Sequence, residues 1–148
     1  MTIKKQKEYY SGKKKRHTMK LQIAADADNK NILRIAVSSG KTHDFKMLKE
    51  SRLILPDDTL FVLDKAYQGI FEIHPMSLIP IKATKNHKLT PEEKAFNSFV
   101  SKLRIFIEHI NRYIKRFRIL SSRYRNKRKR FGLRATLICA IYNFQHNL

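Results

Sequence analysis

The feature that most limits what this chain can fold into is the segment opening at Thr90-Pro91-Glu92-Glu93. A threonine hydroxyl can accept from the backbone N–H three residues on, and a glutamate there can return a bond to the threonine N–H. Proline suits the first helical position because it has no N–H to leave unpaired. Apolar residues then recur at intervals of three and four: Phe96, Phe99, Val100, Leu103, Phe106, Ile107, Ile110, Tyr113, Ile114, Phe117 and Leu120. That period predicts a single amphipathic helix of about eight turns.

The residues upstream read as strands. Met19, Leu21, Ile23 and Ala25 alternate with Lys20, Gln22 and Ala24, the period of a half-buried strand. Asp26-Ala27-Asp28-Asn29-Lys30 has turn composition, and Ile32, Leu33, Ile35 and Val37 form a second strand. Together they predict an antiparallel hairpin ending at Ser38-Ser39-Gly40. Thr42 or Asp44 is placed to cap a short helix with Phe45, Leu48 and Met47 inward. Leu60-Phe61-Val62-Leu63 is an unbroken apolar run, as expected of a strand covered on both faces, and Leu78-Ile79-Pro80-Ile81 is a weaker strand where proline favours an edge. After the long helix come a basic stretch, Arg123 to Arg130, and a last helix from Leu133 to Phe144. The expected organisation is one mixed α/β domain: a basic arm over 1–16, a core over 17–120, and a basic segment with a C-terminal helix over 121–148.

Charge narrows the choice of partner. The 148 residues include 32 Lys plus Arg against 12 Asp plus Glu, a formal net charge of +20, yet 42% are hydrophobic and 10% aromatic. That composition excludes a disordered basic tail. A compact body so charged repels itself, and nucleic acid is the expected polyanion, since each neutralised phosphate releases condensed counterions. No stretch approaches the roughly 20 apolar residues of a membrane span, and no membrane partner is expected. Met1-Thr2-Ile3-Lys4-Lys5 lacks the apolar core of a secretory signal, which implies a cytoplasmic, nucleoid-associated location. The single cysteine, Cys139, excludes a disulfide framework and a cysteine-based zinc site; its setting, Leu137-Ile138-Cys139-Ala140, makes it a core residue.

Two carboxylates stand out. Asp64 ends the apolar run at Leu63-Asp64-Lys65, where a carboxylate projects from a rigid edge, although a solvated turn aspartate fits the same position. Glu108 is the only acid from Lys94 to Leu148, among 14 Lys and Arg. Helical spacing puts Ser101, Arg104, Arg112 and Lys115 near its face. It reads either as a structural counter-ion or as a metal-holding carboxylate framed by phosphate-binding bases. Strand end and helix face together can offer oxygen ligands to Mg²⁺ or Mn²⁺. A third carboxylate is not evident: Asp26 and Asp28 lie in the hairpin turn, Asp57 and Asp58 precede the strand, and Asp44 beside His43 is explained as well by helix capping as by ligation. His17, His74, His87, His109 and His146 show no metal-ligand spacing and read mostly as surface or phosphate-facing. Tyr124 within Arg123, Arg125, Lys127 and Arg128, and the Tyr9 to Arg16 stretch with Lys13, Lys14 and Lys15, mix aromatic and basic residues in the manner of nucleic-acid contacts.

These residues resemble bacterial insertion-sequence transposases of the DDE superfamily. The likeness lies in Tyr9-Tyr10-Ser11-Gly12-Lys13-Lys14-Lys15-Arg16-His17-Thr18, Gly40-Lys41-Thr42-His43-Asp44, Asp64-Lys65-Ala66-Tyr67-Gln68-Gly69, Leu89-Thr90-Pro91-Glu92-Glu93-Lys94, Arg104-Ile105-Phe106-Ile107-Glu108-His109 and Lys115-Arg116-Phe117-Arg118, in order over nearly the whole chain. The resemblance implies a ribonuclease H-like mixed sheet with a long catalytic helix, and DNA strand cutting and joining with two Mg²⁺ ions. It places the family's aspartate before the tyrosine-glutamine-glycine block at Asp64 and its helical glutamate at Glu108. Partners implied are transposon-end and target DNA, with a homo-oligomer or an upstream-frame product of the same element as protein partners.

One departure bears on activity. The family's first aspartate lies on a central strand upstream of the Tyr9 block, and of Met1 to Glu8, the only residues there, none is aspartate. The expectation is a C-terminal part of a transposase, lacking the first central strand and the DNA-end-binding region and inactive alone. A non-catalytic basic nucleic-acid-binding protein is the alternative.

Overall fold

A computed structural model of the chain describes residues 9–11, 16–121 and 130–147. In order these form β1 (Tyr10–Ser11), β2 (Arg16–His17), β3 (Met19–Ala25), β4 (Ile32–Ser39), α1 (Asp44–Glu50), β5 (Phe61–Val62), a 3-10 turn (Ile70–Glu72), β6 (Ser77–Leu78), α2 (Pro91–Lys115), α3 (Arg118–Ser121) and α4 (Phe131–His146). The fold is mixed α/β with small sheets and several helices. Among the described residues the strands make three two-stranded sheets, with β1–β2 and β3–β4 antiparallel and β5–β6 parallel. The chain divides into two compact units, one of Met1–Leu53 with His109–Leu148 and one of Ile54–Glu108.

In the first unit the period-two alternation yields the expected hairpin, paired from Met19↔Ser39 to Ala25↔Ile32 with an irregularity at Ala24/Ala25. Its turn is closed by Asp26, whose Oδ1 accepts from the Asp28 N–H at 2.8 Å. Past the irregularity, Ile32 is bound by a side chain. The Asn143 carboxamide of α4 accepts from Ile32 N at 2.8 Å and donates to Ile32 O at 2.9 Å. The buried residues of α4, namely Phe131, Ala135, Ile138, Cys139 and Tyr142, recur at helical spacing, and Tyr142 meets Tyr113 edge-on with ring centroids 5.1 Å apart. Met47, Ile110 and Ile114 are the other fully covered apolar residues of this unit beside Ile32.

The start of α1 corrects one expectation. Neither Thr42 nor Asp44 is the cap: His43 occupies that position and makes no side-chain bond to the helix. Asp44 is drawn sideways, its Oδ1 accepting from Lys20 Nζ at 3.0 Å, while its carbonyl accepts from Gln22 Nε2 at 3.1 Å. A strand cation thus takes the carboxylate that local spacing assigns to the helix end. Nearby, Gly40 N donates to Thr18 O at 2.8 Å. An added Cβ at Gly40 would lie 1.9 Å from Thr18 Oγ1 and 2.9 Å from the Thr18 carbonyl oxygen, so glycine is what permits this approach of backbone to backbone.

In the second unit the parallel pair is shorter than the apolar runs suggest. Phe61 N donates to Met76 O at 2.8 Å and Leu63 N to Leu78 O at 2.9 Å, and the ladder extends no further. The prolines Pro75 and Pro80 flank β6 and bring no N–H to continue the ladder. Leu60 is 51% exposed, so the run is not covered on both faces throughout. His74 is another correction: it is buried, edge-on to Phe61, between Pro56 O and Ser77 Oγ. The buried apolar residues here are Leu63, Ile70, Ile79 and Val100.

Helix α2 begins with the predicted reciprocal cap: Thr90 N donates to Glu93 Oε2 at 2.8 Å and Glu93 N to Thr90 Oγ1 at 3.2 Å. The Thr90 N–H, and less so His87, lower the pKa of the Glu93 carboxyl. The helix stops at Lys115 rather than running to Leu120. Bonding there tightens to three-residue spacing, Arg116 N to Tyr113 O and Phe117 N to Ile114 O, before α3 resumes.

Burial raises the Cys139 thiol from 9.0 to about 11. In the folded chain it keeps its proton after the unfolded thiol has lost one, so its contribution to stability is present below pH 9 and is lost as pH rises towards 11. Denaturant midpoints of wild type and Cys139→Ala should therefore converge over that alkaline window. A pH-independent difference between them would contradict the assignment.

Candidate active site

Asp64 follows the buried Leu63 directly, two residues after β5. Its carbonyl accepts from Tyr67 N at 3.0 Å, and the Tyr67 carbonyl accepts from Ile70 N at 3.2 Å. Gly69 completes this run of turns with φ 87°, a left-handed conformation that side-chain-bearing residues resist. The backbone holding Asp64 is therefore firmly set, while its side chain stays about half exposed at 47%. Its Oδ1 accepts from Lys65 N at 2.7 Å and lies 3.5 Å from Arg104 Nη1.

Arg104 lies on α2, and its direction is set one to three turns earlier. The Asn97 carboxamide binds both backbone groups of Ile81, accepting from its N–H at 2.7 Å and donating to its carbonyl at 3.0 Å. At 3.6 residues per turn, Glu93, Asn97, Arg104 and Glu108 fall within about 60° of one another around the helix. The face that grips the β6 side of this unit is thus the face that carries Glu108, one turn beyond the cation facing Asp64. Glu108 is exposed, and no ion pair among the described residues brings a base to it. Of the two arginines four residues from it, Arg104 is turned to Asp64 and Arg112 is exposed.

Asp64 meets Arg104 at a solvent-open edge, and the exposed Glu108 carboxylate stands one helical turn beyond Arg104. Hard oxygen donors of that kind suit Mg²⁺ or Mn²⁺. They are not a full set: among the described residues no group of three or more His, Cys, Asp or Glu gathers to hold a metal.

Comparison with known proteins identifies the family. Residues 1–143 match the model of the DDE superfamily endonuclease family. The chain is also 42% identical over 142 residues to the "Probable transposase for insertion sequence element IS702" of Microchaete diplosiphon, an alignment covering 96% of this chain and 51% of the relative. The chain belongs to the DDE superfamily of insertion-sequence transposases. It spans about half the length of that curated relative, and no solved structure matches it.

Within this DDE-superfamily chain the basic residues of interest are scattered. Arg112 and Lys115 are exposed on the last turns of α2, in the other compact unit. Lys13, Lys14, Lys15, Arg123, Arg125, Lys127 and Arg128 lie outside the described residues, as does the Arg16 side chain, although its backbone forms part of β2. Asp44 is tied to β3 by Lys20 and Gln22, and it and His43 belong to the first compact unit. Among the described residues no helix is long and apolar enough to cross a membrane.

Sequence reasoning passed over Asn97. Its signal was available: an indifferent helix former standing on the polar flank that also carries Arg104 and Glu108. Replacing it with alanine removes two hydrogen bonds at an exposed position, a loss of about 1 kcal/mol each at most. Asn97→Ala should lower the unfolding midpoint modestly and speed amide exchange at Ile81. Unchanged exchange at Ile81 would mean that the carboxamide does not hold that segment.

Proposed function

We propose that this chain supplies two catalytic carboxylates, Asp64 and Glu108, to a transposase that cleaves and rejoins DNA at transposon ends. The observation that carries this reading is the 3.5 Å approach of Arg104 to Asp64, with Glu108 one helical turn beyond. A strand end and a helix face converge there on a site open to solvent. We assign Asp64 and Glu108 as ligands of Mg²⁺ or Mn²⁺, two ions in the complete site, with a further carboxylate needed. Bound divalent ions would stabilise the attacking and leaving oxygens of a displacement at phosphorus. In the reaction, water breaks a phosphodiester at the transposon end and the freed 3′-hydroxyl attacks target DNA. We assign contacts with DNA backbone phosphates to Arg104, Arg112 and Lys115, and to Lys13, Lys14, Lys15, Arg16, Arg123, Arg125, Lys127 and Arg128. The site of action is the nucleoid.

The fold in this reading is ribonuclease H-like, and the first catalytic aspartate lies on a central strand contributed from outside this sequence. The remaining half of the protein, a second copy or an upstream-frame product are the sources to test. A non-catalytic nucleic-acid-binding protein is favoured by one observation, that no group of three or more His, Cys, Asp or Glu gathers among the described residues. It predicts indifference to Asp64→Asn in a Mn²⁺ titration, whereas the transposase reading predicts weakened binding.

In a protein extended to the length of the relative, Glu108→Gln should lower Mg²⁺-dependent cleavage of transposon-end DNA by well over the ~100-fold that loss of an outer-shell partner costs. Binding of the same DNA in a gel shift should be unchanged, and the 148-residue chain by itself should cut nothing. Cleavage at the wild-type rate by the glutamine variant would end the assignment.

A further inference from the structure

Between β6 and α2 the chain makes a small hairpin that nothing in the site above requires. Thr84 and His87 form an antiparallel bridge, Thr84 N donating to His87 O at 3.0 Å and His87 N to Thr84 O at 3.3 Å. Lys85 and Asn86 are left at the tip. Every residue from Ile81 to Lys88 is exposed. A connection with no buried side chain has no apolar burial to define its shape, yet this one is fastened to α2 at both ends. Asn97 binds the backbone of Ile81 at the start. At the end, His87 Nε2 stands 3.0 Å from both carboxylate oxygens of Glu93, the residue that also caps the helix.

What this held loop presents is charge. Lys82, Lys85 and Lys88 lie at intervals of three, with no acid between Glu72 and Glu92. None of the three has an ion-pair partner among the described residues. Lysine side chains lose considerable freedom on binding, so presenting them from a backbone already fixed lowers the cost of engaging a polyanion. The helix N-terminus itself is not the site, because its N–H groups at Thr90 and Glu93 are taken by the cap.

The clamps also set the direction. Glu93 and Asn97 share with Arg104 and Glu108 the same polar flank of α2, within about 60° of one another. The clamps at Asn97 and Glu93 stand about 16 Å and about 22 Å from Glu108 along the helix at 1.5 Å per residue. A duplex advances about 3.4 Å per base pair, so those spans match roughly five to seven base pairs. We propose that the Lys82–Lys88 hairpin is a second DNA contact, gripping backbone phosphates roughly five to seven base pairs from the nucleotide held at Asp64 and Glu108. The proposal rests on the DNA-cleaving reading above and adds to it a grip on the flanking duplex. Contact through three lysines to phosphates carries no base specificity, so the hairpin contributes length and register of DNA rather than sequence choice.

The test compares two triple variants of the 148-residue chain by fluorescence anisotropy on a 30-base-pair duplex (about 100 Å long) at several salt concentrations. One removes Lys82, Lys85 and Lys88 to alanine; the other removes Lys41, Lys46 and Lys49, lysines near and on α1 that are also exposed, and so matches the change in net charge. The hairpin variant should flatten the salt dependence by about two to three counterions, and the charge-matched control by clearly less. Circular dichroism identical to wild type excludes unfolding as the cause, and His87→Ala, which keeps all three lysines, should weaken binding severalfold with little change in slope. Equal slopes for the two triple variants would overturn the hairpin contact while leaving the cleavage reading intact. Absence of any duplex binding by the wild-type chain would overturn both.

Discussion

The Asn97 carboxamide takes both the N–H and the carbonyl of Ile81, and through that pair of bonds it fixes which way a 25-residue helix faces. A shift of one residue would turn the helix by about 100°. Arg104 would then leave Asp64, Glu108 would point elsewhere, and Val100, now fully buried, would leave the core of its unit. The polar clamp and the apolar stripe therefore enforce the same rotation. A side-chain amide suits this task, because it offers one donor and one acceptor in a plane and can stand in for a neighbouring strand. Asn143 repeats the device at Ile32 in the other unit, past the irregularity where β3 and β4 stop matching one to one.

The contact between Asp64 and Arg104 is a weak one by design of its surroundings. At 3.5 Å, with the carboxylate half exposed, such a pair contributes a few tenths to about 1 kcal/mol. It is strong enough to orient two side chains and too weak to compete with a tightly held ligand. Asp44 and Lys20 illustrate the contrast. Their 3.0 Å bond is backed by Gln22, and it serves to fasten α1 to the hairpin. Of the two aspartates, the one at the strand end has freedom left to exchange its partner.

Legibility from sequence follows the range of the interaction. The Thr90–Glu93 cap joins residues three apart, so the pattern alone foretells both bonds. The β3–β4 hairpin and the face of α2 follow from periods of two and 3.6, and with them the adjacency of Arg104 and Glu108. The partner of Asp44 lies 24 residues away, and that of Ile32 lies 111 away; no local period carries either. Gly40 is recognisable as part of a motif, but its reason, the approach of Thr18, is tertiary. The end of α2 was hidden for a different cause. Apolar spacing continues through Phe117 and Leu120 while the backbone bonding changes from four-residue to three-residue steps, and a side-chain pattern does not register that change.

The lone acid among bases becomes intelligible once charge is followed through binding. Around a chain of net charge +20, a free divalent cation is repelled, and two carboxylates next to an arginine do little to offset that field. Phosphates reverse the balance. Each one seated on an exposed base removes a local positive charge and brings oxygen of its own, so cation and nucleic acid reinforce one another at the same edge. More acids on α2 would improve metal affinity in the absence of DNA and weaken the grip on phosphate; fewer would leave nothing to anchor a cation. In the proposed reading, an isolated glutamate one turn from an arginine that already faces the strand-end aspartate would make metal occupancy depend on DNA being present.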